Sequence, residues 1–282
     1  YKMLVNPEEG EYAKAMLEAI VAEEADDTEA LVKLQRALVG EVAKKFMPLY
    51  EASNGQLGYV SIQGDPFNET YENIMDKARF NREAGPNIMI KIPATDNGIK
   101  AIETCAEEGI PLNCTEVMSV QQAIDVMDAY ERGVARGGKA PVVYISHIAG
   151  IFDEYIKGKA AADNVDIASD VLWQAGKAVA QKVRHLMDIR CTPIKLINGG
   201  ARGLQHFTEW VGCDVSNTIN WKGTADKLLE ADPVVIDRFS APVSLSVVDE
   251  LVTKLPDFEK AYFSGRITAE EYEKYGPVEL FC

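Results

Sequence analysis

Asn87-Ile88-Met89-Ile90-Lys91-Ile92-Pro93, followed by the segment Asn97–Glu108, is one β/α unit, and its repetition along the chain decides the fold. The first part is an apolar run of strand length, and the second spaces its apolar residues at helical period. Runs like the first recur at Lys2–Val5, Gly58–Gly64, Leu112–Val117, Pro141–Ser146, Pro193–Asn198 and Asp214–Ile219. Further helices are predicted at Tyr12–Glu24, Thr28–Tyr50, Thr70–Glu83, Val120–Arg136, Ile167–Met187, Gly203–Val211 and Thr224–Glu230. Such alternation reads as parallel strands joined by helical crossovers. An open doubly wound sheet usually carries G-x-G-x-x-G after its first strand, and that motif is absent from the sequence. The expectation is therefore an α/β chain folded as a (β/α)8 TIM barrel. Seven strands are legible rather than eight, and the sequence opens within one, so the first β/α unit is expected to be missing from the amino end. No repeat, low-complexity stretch or linker divides the chain. Residues 1–282 read as a single domain, with 244–282 as a helical C-terminal extension.

Composition narrows the function. With 282 residues, 47% hydrophobic, the chain can bury one large core. A formal charge of -15 and the lack of a basic run exclude a phosphate-backbone partner, which leaves no nucleic acid among the expected partners. No apolar stretch of 18 residues and no signal-peptide pattern occur, so no membrane partner is expected and the protein reads as cytoplasmic. Five cysteines, Cys105, Cys114, Cys191, Cys213 and Cys282, form neither a disulfide framework nor a zinc motif. The histidines His147, His185 and His206 have no ligand spacing, so neither a metal nor any other cofactor is expected.

Lys91 is the one charge in its strand. A lysine is almost never buried without a partner or a task. Side chains alternate across a strand, so if Ile88, Ile90 and Ile92 face the helices, Met89, Lys91 and Pro93 face the barrel interior. By the same parity Ser61, Gln63 and Asp65 point inward, as do Asn113 and Thr115, and Tyr144 and Ser146. Asn198, Gly200 and Arg202 are expected to continue that parity beyond the strand Pro193–Asn198. Polar groups thus converge on Lys91 at the carboxyl ends of the strands, where barrel enzymes keep their active sites. A desolvated amine is a neutral nucleophile toward a ketone or aldehyde, and the iminium it forms is an electron sink that needs no metal. The alternative is a lysine that snorkels out at the strand end or pairs with a carboxylate such as Asp65.

The stretch NIMIKIPATDNGIKAIE (87–103), with Gly109-Ile110-Pro111-Leu112-Asn113-Cys114-Thr115, closely resembles the Schiff-base strand and following Asn-x-Thr strand of the transaldolase family. The likeness extends over nearly the whole chain. Asn6-Pro7 resembles the end of that family's Thr-Asn-Pro strand, VSIQGDP (60–66) its third strand, and NGGAR (198–202) its Gly-Ala-Ser-Phe-Arg phosphate segment. The ending LPDFEKAYFSGRITAEEYEKYGP (255–277) is similar to a C-terminal extension of one bacterial branch. The resemblance implies that Lys91 forms the iminium and that Asn6 and Asn113 hold hydroxyls of a bound dihydroxyacetone unit. It implies further that Gln63 and Thr115 position a proton-relaying water, that Ser146 contacts substrate hydroxyls, and that Arg202 binds a terminal phosphate. The substrates would be a ketose and an aldehyde. Family members assemble differently, so a homo-oligomer is left open.

Four departures qualify the resemblance. No strand in this sequence carries the family's first-strand aspartate, which acts in proton transfer. Gln63 stands where most members have glutamate, and it can orient a water but cannot take its proton; the fructose-6-phosphate aldolase branch shares this change. Ile151 replaces a phosphate-binding arginine, at a cost of about 2–4 kcal/mol in phosphate binding, so the substrate is expected to be unphosphorylated, differently charged or met by His147. Lastly, Gly200 replaces a serine, and Glu116 follows Thr115 where an apolar residue is usual. Besides transfer of a three-carbon unit, the departures leave open an aldolase that releases free dihydroxyacetone and a catalytically impaired sugar-binding barrel.

Overall fold

The computed structural model describes residues 10–281. Two helices, α1 (Gly10–Val21) and α2 (Asp27–Ala52), lead into β1 (Val60–Gln63) and α3 (Tyr71–Arg82). Three tight β/α units follow: β2 (Ile88–Pro93) with α4 (Asp96–Glu108), β3 (Leu112–Val117) with α5 (Val120–Gly137), and β4 (Val143–His147) with α6 (Ala149–Ala162). Then come α7 (Ser169–Leu172), α8 (Ala175–Ile189), β5 (Lys195–Asn198), α9 (Gln205–Thr208) and β6 (Val215–Asn217). An irregular turn at Trp221–Ala225 precedes α10 (Asp226–Ala231). The C-terminal segment comprises α11 (Leu245–Lys254), α12 (Pro256–Tyr262), a 3-10 turn at Ala269–Lys274 and α13 (Gly276–Phe281).

The six strands among the described residues are parallel and ordered β1 to β6, as successive β/α crossovers require. The helices start where side chains can cap them: Thr70, Thr95 and Ser119 accept from the backbone N–H groups of Asn73, Gly98 and Gln122. On the helix side Ile62, Ile88, Ile90, Ile92, Leu112, Cys114, Ile145 and Leu196 are buried against Ala101, Ile102, Cys105, Met127 and Val183. Each such aliphatic side chain contributes roughly 1.5–3 kcal/mol.

The other face is concave. Asn113 Nδ2 on β3 donates to Ser61 Oγ on β1 at 3.3 Å, spanning the intervening β2. Lys195 Nζ, from the start of β5, donates to Gln56 O just before β1 at 3.1 Å. In a flat sheet those strands would stand about 19 Å apart, beyond a lysine's reach, so the sheet curls. The described residues form a six-stranded arc of the expected barrel, and the strand expected at Lys2–Val5 lies outside them. Among the described residues no helix is long and apolar enough to cross a membrane.

Three helical expectations are corrected. The segment expected as one helix, Ile167–Met187, breaks at Trp173 and Gln174 into α7 and α8, and Gly203–Val211 holds only the single turn α9. The helix α6 was not expected at all; it starts at Ile148 without a side-chain cap and carries Gly150 and Gly158. Gly150 is there because the helix start touches the loop after β5, where a Cβ would lie 1.9 Å from Gly200 O.

Candidate active site

Strand register sets the layout. Gln63, Lys91, Asn113 and Tyr144 stand side by side on β1 to β4, and side-by-side residues of a parallel sheet share a face. Pro93 and Thr115 form the next level, with Ser146 beyond Tyr144 on β4. Five of the expected site residues, Lys91, Gln63, Asn113, Thr115 and Ser146, therefore lie together on the concave face. Asn6 lies outside the described residues.

Lys91 is half-buried, and burial pulls its amine below the ordinary lysine range, an effect partly offset by the charge of Glu116. Glu116, rather than Asp65, is thus the carboxylate that the amine feels. Two other lysines are more buried but committed: Lys77 pairs with Glu29 at 2.5 Å, and Lys177 with Glu209 at 2.9 Å. Lys91 instead lies under an aromatic ring, with Nζ 5.5 Å from the centroid of Phe281 on α13. A space of about 20 Å³ lies between β1, β2 and α3, lined on the helix side by Ile74, Ala78, Ile90 and Ile92 and toward the strand ends by Gln63, Asp65, Glu69 and Asn73.

Asn113 is pre-oriented, since Ser146 Oγ donates to its Oδ1 at 2.6 Å while its Nδ2 donates to Ser61. Thr115, 1% exposed, has a buried hydroxyl with no partner among the described residues. A buried hydroxyl left without a bond is costly, so such a group points to a ligand or water.

A β-bulge builds this corner. Cys114 pairs with Ile145 and Val117 with His147, so Thr115 and Glu116 together face Ser146. Glu116 takes the left-handed conformation, φ 61°, which costs a non-glycine residue energy and must be enforced by its surroundings. Gln122 enforces it. From the first turn of α5, its Nε2 donates to Ala94 O at 2.9 Å and Glu116 O at 3.0 Å. Its Oε1 accepts from the backbone N–H groups of Met118 and Ser119 at 2.9 and 3.1 Å. One buried amide thereby ties the ends of β2 and β3 together.

The sequence reading missed Glu69, whose carboxyl is pushed up to about 7 by burial and then by the charges of Glu116, Glu273 and Asp65. The available signal was its place in a loop at the carboxyl end of β1, one residue before the Thr70 cap. Phe281 was missed because only long-range packing brings it here.

Two expectations about the rim are corrected. Asn198 pairs in register with His147 and Asn217 on the helix-facing side, so the inward parity assigned to it fails. Beyond it the alternation ends at a turn, where Gly200 has φ 70°. Arg202 consequently sits outside the concave face, its Nε bonded to Glu154 Oε2 at 2.5 Å and its Nη1 to Gly200 O at 3.0 Å. It borders a cavity of about 500 Å³ with Lys157, Trp173 and the buried pair Asp153–His206, not the Lys91 site. His147 is also unavailable to substrate: it is fully buried on the helix side, its ring nitrogens 2.9 Å from Val117 O and 3.1 Å from Gly176 O.

The family model Transaldolase/Fructose-6-phosphate aldolase matches residues 3–252. A curated Transaldolase 2 from Nostoc sp. (strain PCC 7120) is 37% identical over 145 residues, which is 50% of this chain and 35% of that protein. Transaldolase 2 from Nostoc punctiforme is 40% identical over 92 residues, covering 32% and 24%. The transaldolase of Thiobacillus denitrificans is 35% identical over 118 residues, covering 40% and 33%. The matched stretch thus spans about a third or less of these curated relatives. Because the family model covers most of the chain, and the strand bearing Lys91 stands beside the Asn113–Thr115 strand as that family's motifs imply, the chain belongs to the transaldolase/fructose-6-phosphate aldolase family.

Proposed function

We propose that the chain is a transaldolase-type transferase that moves a three-carbon dihydroxyacetone unit from a ketose to an aldehyde through an iminium on Lys91. The observation that carries this reading is the half-buried Lys91 amine in one row with Gln63 and Asn113. The amine nitrogen bonds to the ketose carbonyl carbon, whose oxygen leaves as water with one proton from the amine and one from the medium. A base removes the proton of the C4 hydroxyl, the C3–C4 bond breaks, and its electron pair is held by the iminium as an enamine. Asn113 and Ser146 hold hydroxyls of the bound unit. Gln63 and Thr115 position the water that relays protons, and Glu69, in the loop at the carboxyl end of β1 with a carboxyl that changes charge near neutrality, is suited to exchange a proton with it. Asn6 would add a further hydroxyl contact. The curved arc of six parallel strands supports a closed eight-strand barrel as the complete fold, with 1–282 as one domain and 244–282 as its extension.

A second reading, aldol cleavage with release of free dihydroxyacetone, is favoured by Gln63, because no carboxylate stands directly beside Lys91 at that position. The displacement of Arg202 from the concave face lends no support to a phosphate anchor there. Incubating a panel of phosphorylated and unphosphorylated ketoses with and without an acceptor aldehyde separates the readings. A new ketose formed only with acceptor supports transfer, and free dihydroxyacetone without acceptor supports the aldolase. Neither product from any ketose would overturn both and leave a sugar-binding role.

A further inference from the structure

The C-terminal segment, most of which lies beyond the matched residues 3–252, returns to the site. After α12 it crosses the carboxyl-end side of the sheet: Gly265 N–H donates to Gln121 Oε1 at 2.8 Å, and the fully buried Tyr272 hydroxyl bonds Asp125, both partners being in the first turns of α5. Tyr275 Oη donates to Asp257 O at 2.6 Å, and Tyr155 Oη of α6 donates to Asp257 Oδ2 at 2.7 Å. These bonds anchor α13 beside α6 and set the Phe281 ring 5.5 Å from Lys91 Nζ. The same segment carries Glu273, one of the charges that act on Glu69.

We infer that Phe281 is a positioning residue that covers Lys91, keeps water from its amine and forms one wall of the subsite where the ketose carbonyl meets it. The inference rests on the iminium reading above. A ring over the amine does two things. By excluding water it favours the uncharged nucleophile, an effect that outweighs the ring face's weak attraction for the ammonium at 5.5 Å, and once the protonated iminium exists the same face stabilises that cation. The other groups facing this corner are Glu116 on β3, Asp65 and Glu69 on the loop after β1, and Glu273 of the C-terminal segment. None of them supplies an apolar cover.

The test uses the full chain with Phe281→Ala, Phe281→Leu and Phe281→Tyr, each checked by circular dichroism and thermal melting. Phe281 is half-buried on the last helical turn and packs against the edge of the core, so the melting curves show how much stability each substitution removes. Two readouts are taken. Competitive acetylation across pH measures the Lys91 amine without any sugar, and borohydride trapping with dihydroxyacetone measures iminium formation. Phe281→Ala should raise the acetylation midpoint of Lys91 by about one pH unit and slow trapping near neutral pH about tenfold, in proportion to the lost neutral amine. Phe281→Tyr should restore both, whereas Phe281→Leu should restore the midpoint and trap more slowly than wild type because it lacks a ring face. An unchanged midpoint and trapping rate in the folded Phe281→Ala protein would overturn the inference while leaving the iminium reading standing. Absence of any wild-type adduct would overturn that reading, and with it the subsite, even if the midpoint moved.

Discussion

Replacing Gln122 with methionine tests how the fold holds the site. Methionine keeps the volume and burial of glutamine but can neither donate to Ala94 O and Glu116 O nor accept strongly from Met118 and Ser119. Gln122 is fully buried, so water does not readily replace it. A buried group that loses its partner costs about 1–3 kcal/mol. Four backbone groups are affected, and the thioether regains part of the loss through apolar burial. The net destabilisation should be about 3–4 kcal/mol, a fall in Tm on the order of 10 °C. Urea unfolding should show a lower midpoint with an unchanged slope, since the surface exposed on unfolding stays the same. Trapping at Lys91 should slow as well, because Glu116 is no longer held at its strained φ beside Thr115. A loss below about 1 kcal/mol with full trapping would refute the claim that this amide ties the strand ends together.

Three further outcomes follow from single groups. For Glu69, the folded pKa is raised from 4.5 to about 7, so its ionisation opposes folding: the penalty is absent below about pH 4.5 and complete above about pH 7. Glu69→Gln should therefore match wild type in Tm at pH 4 and exceed it at pH 8 by an amount corresponding to ~1–2 kcal/mol, a figure discounted for partial exposure; a difference that does not grow with pH would contradict this. Thr115→Val removes a buried hydroxyl that has no protein partner among the described residues, so stability should hold or rise by up to about 1 kcal/mol while turnover falls at least tenfold. Unchanged turnover would remove the water-positioning role. Gly150→Ala places a Cβ against Gly200 O, so the loop bearing Arg202 must move and stability should drop by about 1–3 kcal/mol, read by thermal melting; a silent substitution would dispute the contact between α6 and that loop.

Much of this was legible in the residues, for identifiable reasons. The strands β1 to β6 each overlap a predicted run, with only β4 extending one residue past it to His147, because a strand buried between sheet interior and helices must be apolar on its helix side. Parity correctly grouped Lys91 with Gln63, Asn113, Thr115 and Ser146, since it is enforced along the whole length of a paired strand. At Asn198 the assigned parity was the opposite of the real one, since Leu196 and Asn198 share the helix-facing side of β5, and at Arg202 alternation no longer holds because a glycine turn follows the strand. The helix α6 escaped notice because it lacks a capping side chain and buries residues around much of its first turn, including Gly150, Ile151, Phe152 and Asp153. Glu69 and Phe281 were invisible for a different reason. One acquires its character from burial in the fold and then from Glu116 and Glu273, far away in sequence, and the other reaches Lys91 only through a tail anchored on α5 and α6.

The central claim is that Lys91 is the nucleophile. Borohydride reduction in the presence of dihydroxyacetone, followed by peptide mapping of wild type and Lys91→Met, addresses it most directly. The account predicts a three-carbon adduct on the peptide carrying Lys91 and none in the folded variant. An adduct on Lys77 or Lys177, whose amines are tied to Glu29 and Glu209, or no adduct anywhere, would contradict it.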